Sequence, residues 1–208
     1  MRLFVLGATG KTGEALVAQG LARGHAITAF GRFAPRGDTT ETFHVVVGNP
    51  MRADDLATAL PGHDAVLSAL GTRGLGATSV LVDSARASIE AMQRARVRRL
   101  VIISSSLVDP RSGWLSRVAA RTLLRHSASD QRAMETLVTQ SELDWTVLRP
   151  ARLGNGVLTG QYAVSAASAG IPVSRAGMSR EDVAHMMLDT VERGAHVREI
   201  VWLRGARA

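Results

Sequence analysis

Short, nearly continuous apolar runs alternate with amphipathic stretches along the chain. Leu3 to Leu6 reads as a strand that ends in a glycine-rich turn. Thr12 to Arg23 reads as a helix, with Gly24 as its stop signal. Ala26 to Phe30 and Phe43 to Val47 are predicted as the second and third strands. Asp54 to Leu60 is a short helix closed by Pro61 and Gly62. Asp64 to Leu70 is a fourth strand, Ser79 to Arg94 a long helix, and Arg99 to Ser104 a fifth strand. Strands that are apolar on both faces and joined by helices predict a parallel sheet covered on both sides. The expected fold class is therefore α/β, a Rossmann doubly wound parallel sheet. Beyond Ser106 the pattern loosens. Leu115 to Arg125 and Asp130 to Gln140 look helical, Asp144 to Arg149 is a sixth strand ended by Pro150, and Gln161 to Val164 a short strand. A helix over Arg180 to Glu192 and a strand over Glu199 to Leu203 follow. All 208 residues are expected to form one domain, with 151–178 as a loop-rich substrate lobe.

The turn after the first strand carries Gly7, Gly10 and Gly13, with Thr9, Lys11 and Thr12 between them. Glycine lets the backbone turn tightly and lets a pyrophosphate approach the main chain, and the helix behind offers unpaired N–H groups. The position of this motif between a strand and a helix is the context that dinucleotide binding requires. It is not a Walker A loop, because residue 5 is Val rather than Gly. At the end of the second strand an NAD site would place a carboxylate for the ribose 2′-OH. Here Arg32 stands there, Arg36 follows, and no carboxylate precedes Asp38. A guanidinium suits a 2′-phosphate, so NADP is the expected cofactor. Asn49 and Pro50 follow the third strand, and Leu70, Gly71 and Arg73 follow the fourth. In doubly wound sheets such strand ends line the ligand crevice. Asn49 suits the adenine edge, and the Leu70–Gly71 backbone suits the ribose and nicotinamide.

Composition narrows the alternatives. The chain is 46% hydrophobic and has no cysteine, which excludes disulfides and thiol chemistry. No apolar run reaches the ~18 residues that would span a bilayer, and the N-terminal apolar run is too short for a signal peptide. The expectations are a cytoplasmic protein and no membrane partner. The net charge of +7 raises nucleic-acid binding. However, the densest basic run (Arg94, Arg96, Arg98, Arg99) falls at a predicted helix end and strand start with no interleaved aromatics. A solvated face is expected there, and no nucleic-acid partner. The six histidines show no metal spacing. Nothing in the sequence selects an oligomeric state.

Together these residues resemble the atypical, NmrA-like NAD(P)H-binding branch of the short-chain dehydrogenase superfamily, and within it the biliverdin reductase B/flavin reductase type. The matching segments are GATGKTG (7–13), HVVVGN (44–49), DAVLSALGTRG (64–74), LTGQYAV (158–164) and SREDVAHMML (179–188). The resemblance implies a Rossmann fold, NADPH as hydride donor, and a small flavin, quinone or other conjugated hydride acceptor as partner. It also implies a Ser or Thr cluster after the fifth strand, matched by Ser104, Ser105 and Ser106. Relatives of this type carry His after the proline that ends the sixth strand, where this chain has Arg152 followed by Leu153, and His where it has Gln131.

Ordinary short-chain dehydrogenases use a Tyr-x-x-x-Lys pair. The one tyrosine, Tyr162, is followed four residues later by Ala166, and the one lysine is Lys11. That pair cannot be built here, which disfavours a nucleotide-sugar epimerase or dehydratase. Ser105 and Ser106 are the candidate catalytic hydroxyls, to orient substrate or relay a proton, and Ser104 stands beside the nicotinamide position. Local bonds ending the strand are the competing reading for all three. The function expected is an NADPH-dependent reductase; the alternative is a non-catalytic NADP-sensing regulator.

Overall fold

The computed structural model describes residues 1–33, 39–72, 76–108, 124–166 and 177–205. The first half runs β1 (Arg2–Leu6), α1 (Lys11–Ala22), β2 (Ala26–Gly31), β3 (Phe43–Val47), α2 (Ala53–Ala59), β4 (Ala65–Ser68), α3 (Val80–Ala95) and β5 (Arg99–Ile103). A 3-10 turn at Ser106–Val108 is followed by α4 (Arg125–Gln140), β6 (Asp144–Pro150), β7 (Leu153–Gly154), β8 (Tyr162–Ser165), β9 (Met178–Ser179), α5 (Arg180–Glu192) and β10 (Glu199–Gly205). Eight of the strands form one sheet in the order β3-β2-β1-β4-β5-β6-β10-β8, parallel except for β8 against β10. β7 and β9 make a separate short parallel pair. This is the Rossmann fold the sequence predicts.

The strands are apolar on both faces because each face has its own core. Leu3, Val5, Ile27, Ala29 and Leu67 point toward α1 and α5, where Leu16, Val183, Met187 and Leu188 meet them. Phe4, Leu6, Phe30, Val66 and Leu100 point the other way, toward Leu56 of α2, Met92 of α3 and Met134 of α4. Successive side chains of one strand thus feed two opposite layers.

One helix boundary is corrected. The helix expected from Asp130 begins at Arg125, while the stretch 115–123 of the expected preceding helix lies outside the described residues. The charged Asp130 and Glu135 of this helix, residue types that normally sit on the surface, are both buried. Glu135 receives Arg149 of β6 through Nε at 2.9 Å and Nη2 at 2.5 Å, and the guanidinium lies 5.0 Å from the Trp202 ring centre. Removing one member of a buried pair strands the other charge, at about 3–5 kcal/mol. Glu135→Ala is therefore expected to lower the urea-unfolding free energy by about that amount. A loss below about 1 kcal/mol, the range of exposed pairs, would show that the Arg149 charge reaches solvent.

Three of the four arginines of the basic run are held by protein groups. Arg94 pairs with Asp54 and Glu90, and Arg98 with Asp144. Arg99 donates to the carbonyls of Asp144 and Ala195, each at 2.7 Å, and burial lowers its pKa. Among the described residues no helix is long and apolar enough to cross a membrane, and no group of three or more His, Asp or Glu could hold a metal ion.

Candidate functional site

Between β1 and β4 the strand order reverses direction, and a crevice opens beyond the carboxyl ends of the strands at such a switch point. The glycine turn builds its floor. Gly7 adopts φ +81°, and a Cβ there would lie 2.8 Å from the Ala69 carbonyl group after β4. A Cβ on Gly13 would lie 2.0 Å from the Gly7 oxygen, so Gly13 lets α1 rest directly on the turn. Gly10 is different. Its N–H donates to the Gly7 carbonyl at 3.0 Å, yet a Cβ on it would meet nothing closer than that oxygen at 3.4 Å. It borders the cleft as the N-cap of α1, and no side chain caps that helix end. The first N–H groups of α1 are thus turned toward open space, the seat that a pyrophosphate requires.

The remaining expected residues divide clearly. Gly7, Thr9, Gly10, Arg32, Pro50, Leu70 and Gly71 line the cleft. Lys11 and Thr12 begin α1 just behind it, Lys11 exposed and Thr12 buried. Asn49 stands next to the lining Pro50. Its Oδ1 accepts from the Met51 N–H at 3.1 Å, and its own N–H donates to Asp55. That leaves the amide NH2 as the group it can offer a base. Arg36 and Arg73 lie outside the described residues. Phe33, Met51, Thr78 and Val80 also line the cleft. Sequence reading missed them. An aromatic directly after Arg32 was the one available signal, and Phe33 is 68% exposed at the rim.

Ser104, Ser105 and Ser106 continue from β5. With Ser68 opposite Ile102, Leu70 and Ser104 occupy equivalent places beyond two adjacent strand ends. Ser104 Oγ and Ser106 Oγ are both shielded from solvent and have no hydrogen-bond partner among the described residues. A hydroxyl in that state lacks about 1–3 kcal/mol of satisfied bonding, and none of the three serines is among the residues that line the cleft. Arg152, just past β6, is exposed, and Leu153 is half-buried in β7. Tyr162 is elsewhere. Its hydroxyl lies 2.8 Å from His185 Nδ1 on α5. Burial, with the Asp189 and Asp182 charges, pushes its pKa up to about 12. Nearby, Asp182 accepts from Ser179 Oγ, Thr159 Oγ1 and the N–H groups of Thr159 and Gly160. Burial raises its pKa, but these bonds outweigh burial and lower it overall.

Residues 7–193 match the NAD(P)H-binding family. The chain belongs to that family. Its cofactor is therefore NAD(P)H, and the open α1 end together with the bare Gly10 fits that molecule. The chain is 26% identical over 219 residues to the photosystem II assembly factor Ycf39 of Synechocystis, covering all of this chain and 64% of that protein's length. In structure it is similar to the oxidoreductase ylbE of Lactococcus lactis, with TM-score 0.85 at 19% identity over 100% of this chain and 92% of that one. It is also similar to a wide-type short-chain dehydrogenase/reductase of Veillonella parvula in complex with NADP, with TM-score 0.80 at 21% identity over 97% and 93%. At these identities the structural likeness establishes the fold. Gly7 and Gly13 shape the turn, whereas Gly10 and the uncapped α1 end border the cleft.

Proposed function

We propose that the protein is an NADPH-dependent oxidoreductase of the flavin reductase type, passing hydride to a flavin, quinone or similar conjugated acceptor. The observation that carries this reading is the pair of buried hydroxyls, Ser104 Oγ and Ser106 Oγ, without a partner among the described residues, in the turn after β5, the strand beside β4, whose own following turn carries the Leu70–Gly71 wall. NADPH, when bound, supplies the hydride. The chain's own part is alignment. The α1 end and Gly10 hold the pyrophosphate, Arg32 the 2′-phosphate, and Phe33 offers a face for adenine. Leu70 and Gly71 pass the ribose toward the β5 end. There the serine hydroxyls donate to an acceptor carbonyl oxygen, which gathers negative charge as the ring is reduced. A conjugated acceptor spreads that charge, so proximity and orientation supply most of the rate and a strong acid is not needed. Tyr162, held by His185 with its pKa raised, is a poor proton donor and stays outside the chemistry.

Steady-state NADPH oxidation with FMN, FAD and a quinone tests this. Acceptor-dependent turnover is expected with at least one of them. Ser106→Ala is expected to lower kcat about 2- to 10-fold, the worth of one hydrogen bond, and Tyr162→Phe to leave it nearly unchanged. A loss near 10³-fold in Tyr162→Phe, the scale of a missing general acid, would reverse the assignment. NADPH binding without turnover on any acceptor would favour a sensor role instead.

A further inference from the structure

The cleft is bordered by two helix N-termini, and they are treated in opposite ways. The α1 end is open. The α3 end, where the preceding Ala77 and Thr78 and the first helical residue Val80 lie along the cleft wall, is closed. Its own N-cap residue, Ser79, makes no side-chain bond to it. A carboxylate from a different helix does so: Asp130 of α4 accepts the Leu81 N–H on Oδ2 at 3.0 Å and the Val82 N–H on Oδ1 at 2.9 Å. Asp130 is only 4% exposed. One turn earlier, Ser127 Oγ lies 3.0 Å from the hydroxyl of Thr72. Thr72 directly follows Leu70 and Gly71, the opposite part of the same wall. The first half of α4 therefore grips the cleft wall at two places, at Thr72 just after β4 and at the first turn of α3.

We propose that Asp130, assisted by Ser127, is a positioning residue for the dinucleotide, fixing the cleft wall at 70–72 and at 77–80 from behind. It touches neither cofactor nor acceptor. It acts through the α3 backbone, where its charge occupies the N–H groups that would otherwise compete with α1 for phosphate. The proposal rests on the dinucleotide reading of this cleft. Glu135 is the natural control: it lies on the same helix and is equally buried, but it pairs with Arg149 of β6 and touches no part of the wall.

The test is an NADPH fluorescence titration at fixed salt, run with a thermal melt, on wild type, Asp130→Asn and Glu135→Gln. Asn keeps the shape and one acceptor oxygen but turns an NH2 toward the second N–H. Asp130→Asn is expected to weaken NADPH about tenfold, while Glu135→Gln lowers the melting temperature and leaves NADPH affinity within about twofold. Wild-type affinity in Asp130→Asn would make the cap purely structural and overturn the proposal. So would an equal loss of affinity in Glu135→Gln, which would mean general softening. If Asp130→Asn does not fold, Ser127→Ala replaces it, with about a threefold loss expected and no change overturning the proposal. Failure of the dinucleotide reading itself would show separately, as wild-type protein that does not bind NADPH.

Discussion

Gly13→Ala is expected to destroy the native fold, while Gly10→Val leaves it intact and removes cofactor binding. The two glycines are three residues apart and have opposite surroundings. A methyl group on Gly13 would sit 2.0 Å from the Gly7 carbonyl oxygen, a backbone atom that no rotamer change can move away. Relief requires α1 to lift from β1, which separates Leu16 from Leu3 and Val5 in the layer they share. Overpacking of a tight core costs about 1–3 kcal/mol even where side chains can yield, and here they cannot. At Gly10 the nearest atom is 3.4 Å away, so the valine methyls extend into the cleft at the proposed seat of the pyrophosphate. Loss of two charge-assisted bonds at about 1.5 kcal/mol each lowers NADPH affinity on the order of 100-fold. Circular-dichroism melts of both variants and an NADPH titration of Gly10→Val are the measurements. A Gly13→Ala protein that melts like wild type, or a Gly10→Val protein that binds NADPH normally, would contradict the geometry of the turn.

The second large effect is cofactor choice. NADP and NAD differ only in the 2′-phosphate, and Arg32 lines the cleft at the end of β2 in the position where NAD sites carry a carboxylate. One charge-assisted hydrogen bond is worth about 1.5–3 kcal/mol, which is a preference for NADPH of about 10- to 150-fold. Arg32→Ala should lose that preference by weakening NADPH alone, because NADH never makes the contact. Arg32→Asp should invert it, repelling the phosphate and accepting from the 2′-OH. Both cofactors are titrated against all three proteins at one ionic strength, since exposed charges are screened. Equal wild-type affinities, or a parallel loss of both cofactors in Arg32→Ala, would leave Arg32 as a surface charge.

The fold was legible wherever burial is written in apolar side chains. Leu3 to Leu6, Ala26 to Phe30 and Arg99 to Ile103 feed two cores, so their composition alone indicates buried parallel strands. The glycine turn was legible because steric need restricts Gly7 and Gly13 to glycine. The start of α4 was not. Arg125 to Ser129 has no apolar repeat, and its place is set by single polar bonds from Ser127 and Asp130 to partners about fifty residues away in sequence. The same holds for Glu135 and Arg149, two charges whose burial depends on their finding each other. In the site, the types that bind phosphate were readable, whereas Met51, Thr78 and Val80 are ordinary residues that line the cleft only because of where the chain returns. The serine cluster was visible as a run of hydroxyls. That two of the three have no partner is a fact of packing.

The sheet order also has a consequence for how the protein is made. β8 precedes β10 in the chain, yet its neighbour in the sheet is β10, which lies between β8 and β6. Until the residues from Glu199 onward emerge from the ribosome, β6 has an open edge and β8 has nothing to pair with. At 5–20 residues per second, translating the stretch from Ser165 to Glu199 takes roughly 2–7 s. The nascent chain thus spends seconds with Val147 and Leu148 at an unfinished sheet edge. Such unpaired edges are where chains associate wrongly. Dependence on a chaperone that shields strand edges during synthesis should therefore centre on this interval and end when β10 inserts.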